Sequence, residues 1–231
     1  MSTVESSALV KESLAARMRE AIVEGRLRPG QRVIESEWAR QFGVAQASVR
    51  EAINLLILDG FLVKSAGRSA RVPQYTQEDI AQIYEVRGAL EGLAAQLAAA
   101  RRADLTPIEL ALNRMETALA KSEVDVKDLL ENDLAFHLAL AEASGNPLLS
   151  DMLGRLLRPL FTFVLLRMIE TRVNTESWLR DLPRHREMIY LMRESEPALA
   201  GRFVQHCVSR FMTSAQAVWL PDAIPKRRKK S

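Results

Sequence analysis

Residues 35–60 read Glu35-Ser36-Glu37-Trp38-Ala39-Arg40-Gln41-Phe42-Gly43-Val44-Ala45-Gln46-Ala47-Ser48-Val49-Arg50-Glu51-Ala52-Ile53-Asn54-Leu55-Leu56-Ile57-Leu58-Asp59-Gly60. A short helix fits Glu35 to Gln41 and ends at Phe42-Gly43. A second fits Gln46 to Asp59, with the apolar stripe Val49, Ile53, Leu56 and Ile57 at helical spacing and Asp59-Gly60 as its stop. Two helices joined by a tight glycine-containing turn make a helix-turn-helix, whose second helix is built to enter a DNA major groove.

Working outward, Leu9, Leu14, Ala15, Met18 and Ile22 recur at helical spacing before Gly25 and Pro29-Gly30, so a further helix precedes the pair. After it, Phe61 to Lys64 and Ala70 to Val72 read as two short strands around Ser65-Ala66-Gly67-Arg68-Ser69. Helices followed by a small hairpin describe a winged helix-turn-helix over residues 1–73. Beyond Pro73 strand signals stop. Helices are expected from Thr76 to about Arg102, from Thr106-Pro107, from Val126 to Ala143, from Pro147 with a bend at Pro159, from Pro183 to Glu194 and from Pro197 to Val218. The expected fold is mainly α: a winged helix-turn-helix followed by an all-helical bundle over residues 74–220, with a basic tail at 221–231.

The 231 residues give room for two cores, and 48% hydrophobic with 26% charged residues excludes a disordered or rod-like chain. The uncharged runs Gly92 to Ala100 and Pro159 to Leu166 fall short of the roughly 20 apolar residues that span a bilayer. A single cysteine, Cys207, forms no internal disulfide, and the N-terminus has no basic-then-apolar signal, so the expected compartment is the cytoplasm. Residues 1–73 carry 11 basic against 8 acidic side chains, residues 74–220 carry 16 against 20, and residues 221–231 carry 5 against 1. A basic reading module on an acidic body fits a nucleic-acid partner. The run Lys226 to Lys230 reads as a solvated end or as a phosphate contact.

The chain has three histidines, His137, His185 and His206. Asp133 precedes His137 by four residues, so carboxylate and imidazole leave one helix face a turn apart. With His185 and His206 from later helices they suit Zn²⁺, Ni²⁺, Mn²⁺ or Fe²⁺, with open positions left at the ion. The plainer alternative is an intrahelical Asp–His hydrogen bond and two unrelated histidines. No HExxH, GxSxG, P-loop or GxGxxG occurs, so catalysis has no support. The run of Gly88, Ala89, Gly92, Ala94, Ala95 and Ala98 to Ala100 suits close packing, within one subunit or between two.

Residues 27–72 resemble the DNA-binding domain of GntR-type bacterial transcription regulators. The resemblance is carried by Leu27-Arg28-Pro29-Gly30, Glu35-Ser36-Glu37-Trp38-Ala39, Phe42-Gly43-Val44, Ser48-Val49-Arg50-Glu51-Ala52 and Leu58-Asp59-Gly60-Phe61. The later helices resemble the FCD ligand-binding domain of the FadR subgroup through Arg87-Gly88-Ala89-Leu90-Glu91, Asn132 to His137 and Ser144-Gly145-Asn146-Pro147. The resemblance implies a homodimer on a palindromic double-stranded operator, a small carboxylate effector, and a divalent ion, zinc first, on Asp133, His137, His185 and His206. It places Ser36, Gln46, Ala47, Ser48, Arg50, Gly67 and Arg68 at the DNA. It turns Arg87 toward the effector, where a guanidinium clamps a carboxylate; an ion pair of Arg87 with Glu91 at i+4 is the alternative. Two departures change the operator: Ser36 and Gln46 stand where arginines are frequent, and Gln suits adenine where Arg suits guanine. The rivals to this regulator are a metal-dependent enzyme fused to a DNA-binding module and a metal-free regulator.

Overall fold

The computed structural model describes residues 2–64, 69–171, 176–194 and 196–218. Its elements are α1 (Ser2–Val23), α2 (Glu35–Phe42), α3 (Gln46–Leu58), α4 (Gln77–Arg101), α5 (Thr106–Leu119), α6 (Val126–Ala143), α7 (Pro147–Thr171), α8 (Glu176–Glu194) and α9 (Pro197–Val218). The chain divides into two units between Gln74 and Tyr75.

In the first unit α1 lies against α3 and α2 against α3. Leu14, Met18 and Ile22 meet Val49, Ile53 and Leu56 in a core closed by Trp38, Phe61 and Leu62, all buried. Gly43 ends α2 at φ +64°, a conformation that costs glycine little, and its N–H donates to the Ala39 carbonyl. The wing is smaller than two full strands. Val63 and Arg71 exchange both backbone hydrogen bonds, at 2.8 and 2.9 Å. A third arm that the sequence pattern did not reveal joins them: Val33 N–H donates to the Ala70 carbonyl at 2.8 Å, and Val72 N–H to that of Gln31 at 3.0 Å. Single bridges suffice because Val33, Leu62, Ala70 and Val72 bury their side chains beneath them. Gly67 and Arg68 lie outside the described residues, as does the basic tail.

The second unit is entirely helical among its described residues. Thr76 and Asp79 form a capping box at the start of α4, which satisfies two N–H groups that the helix leaves open. Ile80, Gly88, Gly92, Ala94, Ala95, Ala98 and Ala99 are buried along α4, and the small ones let α9 approach closely. The glycine-alanine run therefore serves packing within the subunit. Leu153, Leu157 and Phe161 of α7, Phe136 and Leu140 of α6, and Met188 and Ile189 of α8 complete the core. α7 runs on through Pro159. α8 begins at Glu176, seven residues before the proline expected to open it, so Pro183 stands inside the helix. No described helix is long and apolar enough to cross a membrane.

Candidate functional site

Two sites emerge, one in each unit. In the first, α3 turns Val49, Ala52, Ile53 and Leu56 inward, which leaves Gln46, Ala47 and Arg50 exposed and Ser48 half-buried; Ser36 is exposed on α2. This outward face is free to meet DNA. Arg50 is held by Glu35, one carboxylate oxygen accepting from both Nε at 3.1 Å and Nη2 at 2.9 Å. The glutamate fixes the direction of the guanidinium across the turn, a role that sequence spacing of 15 residues did not display.

The second site lies inside the helical bundle. α6 presents Asp133 and His137 from one face, as the i, i+4 spacing requires, and α8 brings His185 to them. Candidate ligand atoms of these three residues lie within 4.8 Å of one another. His137 Nε2 stands 3.3 Å and His185 Nε2 3.5 Å from Asp133 Oδ1. Each imidazole is steadied at its other nitrogen: His137 Nδ1 is 2.8 Å from Glu91 Oε2, though out of hydrogen-bond alignment, and His185 Nδ1 donates to the Asp181 carbonyl at 3.2 Å. Outer partners of this kind fix tautomer and ring plane around a bound metal. Phe136 packs edge-on against His185 and Phe211 stacks over it.

His206 does not join them. α9 buries Ala200, Val204, Cys207, Val208 and Ala215, and His206 falls off that face into solvent. The expected set of four ligands thus becomes three: Asp133, His137 and His185. Cys207, beside it in sequence, points inward, and burial pushes its thiol up to about 11.

Arg87 is 2% exposed and makes the i, i+4 pair with Glu91, Nε to Oε1 at 2.6 Å, inside the bundle beside His137. Its Nη2 lies 2.8 Å from His137 Nε2, and the tautomer that accepts this bond carries its proton on Nδ1. Tyr84 and Phe161 lie under the guanidinium at 5.0 and 5.3 Å. Glu91, fully buried, is the pocket residue that reasoning from sequence treated only as a partner. Burial pushes its carboxyl up, but Arg87 and then His137 outweigh this and hold it down at about 2. Burial likewise opposes the charge of Asp133, and His137 and His185 hold that carboxyl far below the usual range. At His137 burial lowers the pKa, yet Glu91 and Asp133 raise it overall.

An exposed helix-turn-helix in one unit and a buried cluster of carboxylates, imidazoles and one guanidinium in the other fit a DNA-binding regulator with a second, helical domain. Comparison with known proteins agrees. "Bacterial regulatory proteins, gntR family" matches residues 10–72 and the FCD domain matches residues 82–210. The chain belongs to the GntR family of transcription regulators, in the group that carries an FCD effector domain; the family comprises regulators and not enzymes. It is similar to the uncharacterized regulator YdhC of Bacillus subtilis, 31% identical over 59% of this chain and 61% of that one, so the match spans about three-fifths of that relative. It is also similar to the regulator LutR of the same species, 34% identical over 58% of this chain and 67% of the other. A crystal structure of a GntR-type regulator from Rhodococcus sp. RHA1 shares the fold with a TM-score of 0.69, at 23% identity over 90% of this chain and 97% of that one.

Proposed function

We propose that this regulator works in the cytoplasm as a homodimer on a palindromic operator, and that a small carboxylate controls it at a metal-containing pocket. The convergence of His137 Nε2 and His185 Nε2 on Asp133 Oδ1, with Nδ1 of His137 beside the Glu91 carboxylate and Nδ1 of His185 bonded to the Asp181 carbonyl, carries the proposal. Three protein ligands with one position left open match zinc in a site that exchanges a ligand; nickel, manganese and iron remain compatible with the same donors. When bound, the ion would offer its open position to a carboxylate oxygen, and Arg87 would hold a second oxygen of the same molecule. A ligand touching α4, α6 and α8 together favours one packing of those helices, and so one spacing of the paired reading heads. In the DNA-binding unit, Ser36, Gln46, Ala47, Ser48, Arg50, Gly67 and Arg68 form the proposed contact set, with Arg50 as the base-reading cation.

Metal content of untagged protein, wild type and His185→Ala, tests the pocket. Fluorescence anisotropy on a selected operator, with and without a panel of small carboxylic acids, tests the response. A full complement of ion in His185→Ala refutes the three-ligand site. One observation favours a second reading, a regulator whose histidines only hydrogen-bond: the 2.8 Å contact of Arg87 with His137 satisfies the imidazole without any ion. Metal-free protein with full operator response would establish it.

A further inference from the structure

Arg87 and an ion claim the same electron pair. His137 presents Nε2 toward Asp133 and His185, so any ion held by the three must bond that nitrogen, at about 2.1 Å for zinc. The Arg87 Nη2 hydrogen bond ends on the same atom at 2.8 Å. An ion and this guanidinium nitrogen on one lone pair would lie about 0.7 Å apart, far inside contact distance. The two arrangements exclude each other.

We propose that Arg87 is the built-in competitor of the metal ion, bonding His137 Nε2 until the ion displaces it. This rests on the pocket of Asp133, His137 and His185 proposed above. The arginine is suited to such an exchange. Its Nε stays with Glu91 Oε1 at 2.6 Å, so the charge keeps its partner while the far amino group lets go. The faces of Tyr84 and Phe161 give the guanidinium apolar ground on which to turn. Once released, Nη2 is a donor without a bond, next to a pocket that has gained positive charge. That combination receives a carboxylate, so loading of the ion and binding of an acid reinforce each other through one side chain.

Zn²⁺ alone serves as the probe, added to the full-length protein. Its dissociation constant is measured by chelator competition for wild type, Arg87→Lys, the paired variant Arg87→Met with Glu91→Gln, and His185→Ala. The Arg87 Nε–H resonance is followed by ¹⁵N NMR and assigned by its loss in Arg87→Lys. Both Arg87 variants conserve net charge, so a change in affinity reports competition for His137 and not long-range repulsion. Lysine keeps the charge beside Glu91 but lacks the forked nitrogens that bond Glu91 and His137 together. Removing a charge-assisted hydrogen bond should tighten Zn²⁺ binding about tenfold or more in Arg87→Lys. The paired variant should tighten in the same way, and it decides the matter if Arg87→Lys does not fold. Zn²⁺ should also shift the wild-type resonance. If His185→Ala loses the ion while both Arg87 variants bind it no tighter than wild type, the competition is refuted and the metal site stands. If wild type shows no His185-dependent Zn²⁺ binding, both are refuted.

Discussion

Substituting Gly201 by alanine pits two physical effects of opposite sign against each other. Gly201 of α9 and Gly92 of α4 touch through their backbones. A Cβ on Gly201 would meet the Gly92 carbonyl oxygen at 2.8 Å and Gln96 Cβ at 3.0 Å, while a Cβ on Gly92 would meet the Gly201 oxygen at 2.9 Å. Ordinary contact needs about 3.5 Å, so the helices must part by roughly 0.7 Å along a seam lined with Ala95, Ala200 and Val204. Overpacking of this kind costs about 1–3 kcal/mol. Alanine in a helix returns about 1 kcal/mol of propensity. The net expectation for Gly201→Ala is a loss of up to about 2 kcal/mol, which lowers the melting point of a unit this size by a few degrees. Calorimetry on the full chain, following the transition of the helical unit, reads it. A Tm equal to or above wild type would show that propensity outweighs packing and that the glycine contact does not hold the helices in place.

At the DNA, Arg50→Ala should weaken specific operator binding by about 1–3 kcal/mol at matched salt with the helical unit still folded; unchanged anisotropy titrations would remove Arg50 from the interface. Gln46→Arg should move the selected half-site toward guanine at one position, and an unchanged selection profile would show that Gln46 does not face a base. In the pocket, His206→Ala should keep the metal content of wild type while His185→Ala loses it, and elemental analysis of both separates a three-ligand from a four-ligand site. Glu91 titrates near 2 in the folded chain against an ordinary value of 4.5, so its stabilising charge is complete above 4.5 and is lost as pH falls toward 2. Urea midpoints of wild type and Glu91→Gln should therefore lie far apart at pH 7 and converge as the pH falls to 3. Cys207 should resist alkylation at pH 8 in the folded chain and react on unfolding, because burial hides the thiol and raises its pKa to about 11; rapid labelling of folded protein would contradict its placement.

Helix ends were readable wherever a cap or breaker stood at them. α6 and α9 span Val126–Ala143 and Pro197–Val218, the limits that Ser144-Gly145-Asn146 and Pro197 imply. α8 escaped because proline favours the first helical turn, and here packing carries the helix through Pro183 in spite of the backbone hydrogen bond it removes. The third arm of the wing has no periodicity to find, since Gln31 and Val33 join by single bonds. His206 was a matter of register: Val204, Cys207 and Val208 set the inner face of α9, and a histidine adjacent to Cys207 falls outside it. That signal was present in the apolar spacing. The burial of Glu91 left no trace, because an Arg–Glu pair at i, i+4 reads alike on a surface and in a core.

The burial of the pocket sets a clock for ligands. Arg87, Glu91, Asp133, His137 and His185 are all at most 8% exposed, so an ion or acid cannot reach them by collision with the surface alone. The helices must first part, and that opening has a rate of its own. Stopped-flow association should therefore rise with ligand concentration and then level off, at a plateau shared by ions of different size and charge. With the ion and acid proposed above, such a regulator would answer the sustained level of its ligand and filter out pulses shorter than the opening time.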